Sequence, residues 1–230
     1  CGRPSQIERR VVGAVQACIT PATLQQVVTQ FRQKLKEKNG SITAESGQTV
    51  GELQTVNGSI RINSGAVTDD AGTVNGSITV NEKATTGSLE TVNGSIRLER
   101  DVTVNGSIET VNGSVFVDRG GKVRNNVETV NGAIGLVATQ LGGGIQTVNG
   151  DITVGIESVV KGGIKIEKSN SWLQNKPKRD PRVIIGPNAV VEGALVFERP
   201  VKLYVHKTAR IGPVTGATAQ TFEGDTAPKE

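Results

Sequence analysis

The chain has 230 residues, a net charge of +4, 29 glycines and only 3% aromatic residues. That is too few large side chains for one globular core of this size, and so mild a charge does not by itself mark a nucleic-acid partner. No run of 18 apolar residues occurs, so no stretch of the sequence reads as a membrane-spanning helix.

Residues 1–38 read as an N-terminal helical hairpin cap. Ser5 and Glu8 fit a capping box, and Ile7, Val11, Val12, Val15 and Ile19 follow at helical spacing. Thr20-Pro21 ends that helix and opens a second, lined on one face by Leu24, Val27, Val28, Phe31 and Leu35. The segment carries seven Lys/Arg against Glu8 and Glu37, a balance of +5. The chain contains no Met and starts at Cys1. A mature chain starting at Cys resembles a bacterial lipoprotein, which implies acyl groups on Cys1 and membrane contact through that lipid alone. A Cys1–Cys18 disulfide in an exported protein and an artificial chain start are the other readings.

From residue 39 the sequence repeats. Asn-Gly stands at Asn39, Asn57, Asn75, Asn93, Asn112, Asn131 and Asn149, at steps of 18, 18, 18, 19, 19 and 18. The surrounding text is Thr-Val-Asn-Gly-Ser-Ile or close to it. A fixed period of strand-forming residues predicts an all-β single-stranded β-helix over 39–168, seven coils at one coil per period, with right-handed coiling. Asn105-Gly106 falls in the second half of a coil and is not a coil start. At each corner Gly is expected to supply positive φ and Asn to tolerate left-handed geometry. The asparagines Asn57, Asn75, Asn93, Asn112, Asn131 and Asn149 are expected to bond amide to amide along the stack. Ile60, Ile62, Ile78, Val80, Ile96, Leu98, Val115, Val117, Ile152 and Val154 are the expected inward rank.

Residues 169–182 read as a basic, proline-containing loop with Lys176, Lys178, Arg179, Arg182 and the only Trp, Trp172, expected to fold back on the solenoid, with a ligand contact as the other reading. Residues 183–222 resume strand character with a six-residue beat (Ile184, Val190, Val196; Val205, Ile211, Ala217), enough for two more stacked coils. Residues 223–230 are expected to be a disordered tail.

Two columns follow from the period. Glu90, Glu109 and Glu128 occupy equivalent positions, flanked by Gln54 and Gln146. Carboxylates about 4.8 Å apart repel by roughly 1 kcal/mol per neighbour in a water-like dielectric. A solvated, screened ladder is one reading and a weak cation site, calcium for instance, the other. Thr55, Thr73, Thr91, Thr110, Thr129 and Thr147 form a second column, weakly similar to the stacked threonines of ice-binding solenoids.

The Thr-Val-Asn-Gly-Ser-Ile array over about 39–168 resembles the adhesin-type β-repeat family of bacterial envelope proteins. Leu203–Gly212 and Gly186–Gly193 resemble bactofilins, polymer-forming cytoskeletal β-helices. The first resemblance implies a bacterial periplasmic or outer-membrane scaffold, or an adhesin-like surface for an envelope glycan or protein. The second implies self-association, which a helical cap would block at one end. A carbohydrate-active β-helix enzyme is a third class, but the chain offers one His (His206, read as a surface residue), one Trp and one Tyr. Two Cys without partners at ligand spacing make no zinc site. No catalytic residue, cofactor or nucleic-acid partner is expected, since no aromatic platform accompanies the basic clusters.

Overall fold

The computed structural model describes residues 39–168, 179–224 and 226–228. Twenty-eight short strands form three parallel sheets of ten, nine and nine strands. Each turn of chain lends one strand to each sheet. In the first turn these are β1 (Ile42–Ala44), β2 (Thr49–Val50) and β3 (Leu53–Asn57). β1 pairs with β4 (Ile60–Ile62), β2 with β5 (Val67–Thr68) and β3 with β6 (Ala71–Asn75), and this every-third pairing runs to the last turn. The result is a β-solenoid of nine turns, roughly 43 Å long at 4.8 Å per turn. Three strands of two to five residues per turn leave room for only a narrow core.

That core is a pile of aliphatic ranks. All ten residues expected to point inward are buried, Ile62, Ile78, Ile96, Leu98, Ile152 and Val154 completely. Alternation along each strand sends every second residue outward. The last two turns join the stack through β22 (Arg182–Ile185), which pairs with β19 (Ile152–Val154). Here the six-residue beat holds for Val205, Ile211 and Ala217, which belong to or pack on the core, but is displaced by one residue in the turn before. Ile184, Val190 and Val196 face outward and are half-buried, while Val183, Ile185, Ala189, Val191, Leu195 and Phe197 fill the core. A final strand, β28 (Ala219–Phe222), adds to β25 (Lys202–His206) only. Beyond it Glu223 pairs with Lys207 at 3.1 Å, and the Pro228 carbonyl accepts from Arg182 Nη2 at 2.9 Å. Two members of the tail expected to be disordered thus touch the rod.

The 19-residue turns are explained by one bend. Between the second and third strand, turn three uses Gly87 and Ser88, whereas turns four and five insert three residues, Asn105–Ser107 and Arg124–Asn126. Asn105-Gly106 lies in this bend, away from the Asn-Gly file.

Glycine's role at the corners differs from the expectation. Among the described Asn-Gly corners only Gly40 has positive φ, at 126°. The others are glycine because the turns touch there. A Cβ on Gly58, Gly76, Gly94, Gly113, Gly132 or Gly150 would overlap the carbonyl oxygen of the corner glycine one turn earlier. The left-handed residue sits instead at the bend between first and second strands. Gly47, Gly65, Lys83, Asp101, Gly120, Ala138, Glu157 and Asn188 hold φ between 42° and 76° there. Lys83, Asp101, Glu157 and Asn188 are exposed there, and a Cβ on Gly47 or Gly65 would meet nothing closer than 4.0 Å, so this bend accepts non-glycine residues at a strain of about 1–2 kcal/mol each.

Candidate binding faces

The Asn-Gly corner builds three parallel ladders. Asn57 Nδ2 donates to Asn39 Oδ1 at 2.8 Å, and Asn75, Asn93, Asn112, Asn131 and Asn149 each donate to the asparagine one turn earlier at 2.9–3.0 Å. Beside it Ser59, Ser77, Ser95 and Ser114 donate their backbone N–H to the preceding serine hydroxyl at 3.2–3.4 Å. On the inner side Thr55, Thr73, Thr91, Thr110 and Thr129 donate Oγ1–H to the glycine carbonyl one turn back at 2.8–3.1 Å. This threonine rank is buried, between 1% and 5% exposed, so it presents no flat face to ice or to any ligand. Its hydroxyls serve the corner carbonyls, for which a buried, otherwise under-bonded position is costly.

The asparagine file has a polarity, because every amide donates toward the N-terminal end. Asn149 is its last member, and its Oδ1 accepts from Arg199 Nη1 at 2.7 Å. The same guanidinium nitrogen donates to the Val148 carbonyl at 3.1 Å. Two residues after Asn149, Asp151 replaces serine and takes both Arg179 terminal nitrogens together with the Arg182 N–H. Burial opposes the Asp151 charge, but these donors overcome it and hold the carboxyl below its ordinary range. The two described arginines of the basic loop are therefore spent on the rod itself. Arg182 also lies over the Tyr204 ring at 5.4 Å.

The glutamate column forms in register on the third sheet: Glu90 beside Glu109 beside Glu128, then Gln146 and Lys165. It is not a solvated ladder. Glu128 is only 9% exposed and Glu109 Oε2 is buried without a hydrogen-bond partner. Burial first, then the neighbouring Glu128 charge, push the Glu109 carboxyl up to about 7 despite its bond to Ser107. Burial also raises Glu128, against the bond from Asn126. At its C-terminal end the file reaches Lys165, whose Nζ is turned to other carboxylates, Glu167 at 2.8 Å and Glu198 at 3.3 Å. Those contacts, led by the Glu167 bond, raise Lys165, while the Lys168 N–H and Lys165 lower Glu198. Among the described residues no three His, Cys, Asp or Glu side chains converge as metal ligands. Burial therefore favours the neutral carboxyl at Glu109 and Glu128.

His206, expected on the surface, is 7% exposed. Its Nδ1 pairs with Thr208 Oγ1 at 2.9 Å and its ring meets Phe222 edge-on at 5.2 Å. Cys1, Cys18 and Trp172 lie outside the described residues, as does the expected cap over 1–38.

One face escaped the linear reading. β14 (Lys122–Val123) stands between β11 (Thr103–Val104) and β17 (Gln140–Leu141), which in turn pairs with β20 (Val159–Val160). This register brings Lys122, Arg124 and Lys161 around a shallow recess of about 450 Å3, with Asn105, Gln140 and Gly142 between them. All three cations are exposed. Writing the repeat as columns would have revealed them, since Asn105, Arg124, Gly142 and Lys161 share one file.

Comparison of the chain with protein-family models, with curated proteins and with solved structures finds no match, so its faces stand on their own chemistry.

Proposed function

We propose that this chain is a non-catalytic β-solenoid of the bacterial envelope, a stiff scaffold that holds repetitive faces toward a glycan or protein partner. The observation that carries the reading is the continuity of the ladders. Sheet pairings tie each turn to the next, and through most of the rod asparagine, serine and threonine bonds at one corner add to them. Bending such a rod breaks several of these bonds together, so it keeps a fixed length and a fixed spacing between faces. The repeat text and its resemblance to envelope β-repeats support the placement. A helical cap over residues 1–38 and right-handed coiling complete the reading, the first by covering an exposed sheet edge.

The test is photo-crosslinking in source cells from the outward, exposed positions Arg61 and Arg97. The reading expects the adduct in the envelope fraction, joined to a glycan or a protein. Adducts found only in the cytosol, or a chain that turns over a polysaccharide, would contradict it.

A further inference from the structure

The recess around Lys122, Arg124 and Lys161 carries an inference that rests on the scaffold reading and names its partner. We propose that this recess binds a linear acidic polysaccharide. None of the three cations forms an ion pair with a described carboxylate. In this they differ from Arg179, Lys165 and Lys207, each of which has one. No carboxylate lines the recess; Glu192, which follows Lys161 in the file on the next turn, is not part of its lining.

The spacing decides the kind of anion. Lys122 and Arg124 stand two residues apart on one turn, about 7 Å, and Arg124 and Lys161 two turns apart, about 9.6 Å. These backbone spacings set the three charges out over three turns of the rod. They suit charges distributed along a chain. Between Arg124 and Lys161 the file holds Gly142, whose Cβ would strike the Arg124 carbonyl. The missing side chain leaves a notch flanked by two charges. Asn105 and Gln140 put neutral amides among the cations, able to donate to and accept from sugar hydroxyls. No aromatic side chain lines the recess, which removes the stacking platform that single-stranded nucleic acid uses.

The experiment is fluorescence titration of the full chain with labelled oligogalacturonate, against neutral dextran, single-stranded DNA and duplex DNA of similar length. Saturable binding of oligogalacturonate is expected, weakened in about 0.5 M salt as screening predicts. Arg124→Gln with Lys161→Gln is expected to weaken it about tenfold or more. Both positions are exposed, and an unchanged circular-dichroism spectrum and scattering profile show that the rod persists. No binding by an intact rod, equal binding by the double variant, or preference for either DNA overturns the proposal while leaving the scaffold reading in place. A scattering profile that lacks the rod overturns both.

Discussion

The two glycine files make opposite demands, and one pair of substitutions separates them. Gly94 belongs to the Asn-Gly corner. A Cβ there would overlap the Gly76 carbonyl oxygen and crowd the Ser77 nitrogen, both backbone atoms already bonded within the corner, to the Thr91 and Ser59 hydroxyls. Nothing flexible can move aside. Gly94→Ala must separate two turns locally, straining the Thr91 bond to the Gly76 carbonyl and the Asn93–Asn75 ladder bond. Overpacking against a rigid wall costs about 1–3 kcal/mol, and two weakened hydrogen bonds add about 1 kcal/mol each. We expect a loss of about 3–5 kcal/mol. Gly65 is the reverse case. Its φ is 70°, but the nearest atom to an added Cβ is the Gly47 nitrogen at 4.0 Å. Gly65→Ala costs about 1–2 kcal/mol of left-handed strain and regains about 0.4–1 kcal/mol from a stiffer unfolded chain, a net loss near 1 kcal/mol or less. Lys83 and Asp101, one and two turns on, already occupy this conformation. Urea midpoints of the two variants and the parent provide the assay. Equal losses, or a larger loss at Gly65, would refute the assignment of close approach to one file and backbone strain to the other.

Three further outcomes are expected. Glu109→Gln stabilises the rod above pH 7 and changes little below pH 4.5. With a carboxyl raised from 4.5 to about 7, the folded state holds its proton longer than the unfolded chain, so stability falls across that window as pH rises. The gain at pH 8 is at most about 3 kcal/mol, and thermal melts at pH 4 and pH 8 measure it. A variant equally stable relative to the parent at both pH values would contradict the burial of this carboxylate beside Glu128. Asn93→Ala removes two ladder bonds on an exposed corner, at a cost of about 1–2 kcal/mol in denaturant midpoint. Arg199→Ala frees the Asn149 end of the same ladder and is expected to raise amide exchange in the last Asn-Gly corner while leaving the first turns unchanged.

The period of the sequence carried the architecture. Asn-Gly at steps of 18 or 19 gave the turns, the ladder and the inward rank because each turn repeats one backbone geometry. What it hid were the reasons residing between turns. The corner glycines are dictated by a carbonyl 18 or 19 residues away, not by their own torsion. The left-handed position was masked because its file mixes Gly, Lys, Asp, Ala, Glu and Asn. The outward or inward sense of Ile184 and Val183 was ambiguous in a stretch where four consecutive residues, Arg182 to Ile185, include three aliphatic ones. Arg199 at the ladder's end lies 50 residues from Asn149, beyond any local signal. The basic recess needs register across four turns, since its cations are never adjacent in sequence.

The in-register stack itself is open to a single distance measurement. Spin labels at Arg61 and Thr153, outward residues of the same sheet file five turns apart, are placed in a background with Cys1 and Cys18 replaced by serine. The interspin distance is expected near 24 Å, and near 19 Å once residues 76–93 are deleted as one whole turn. A broad distribution, or a distance that does not shorten on deletion, would mean that the repeats do not pile over one another.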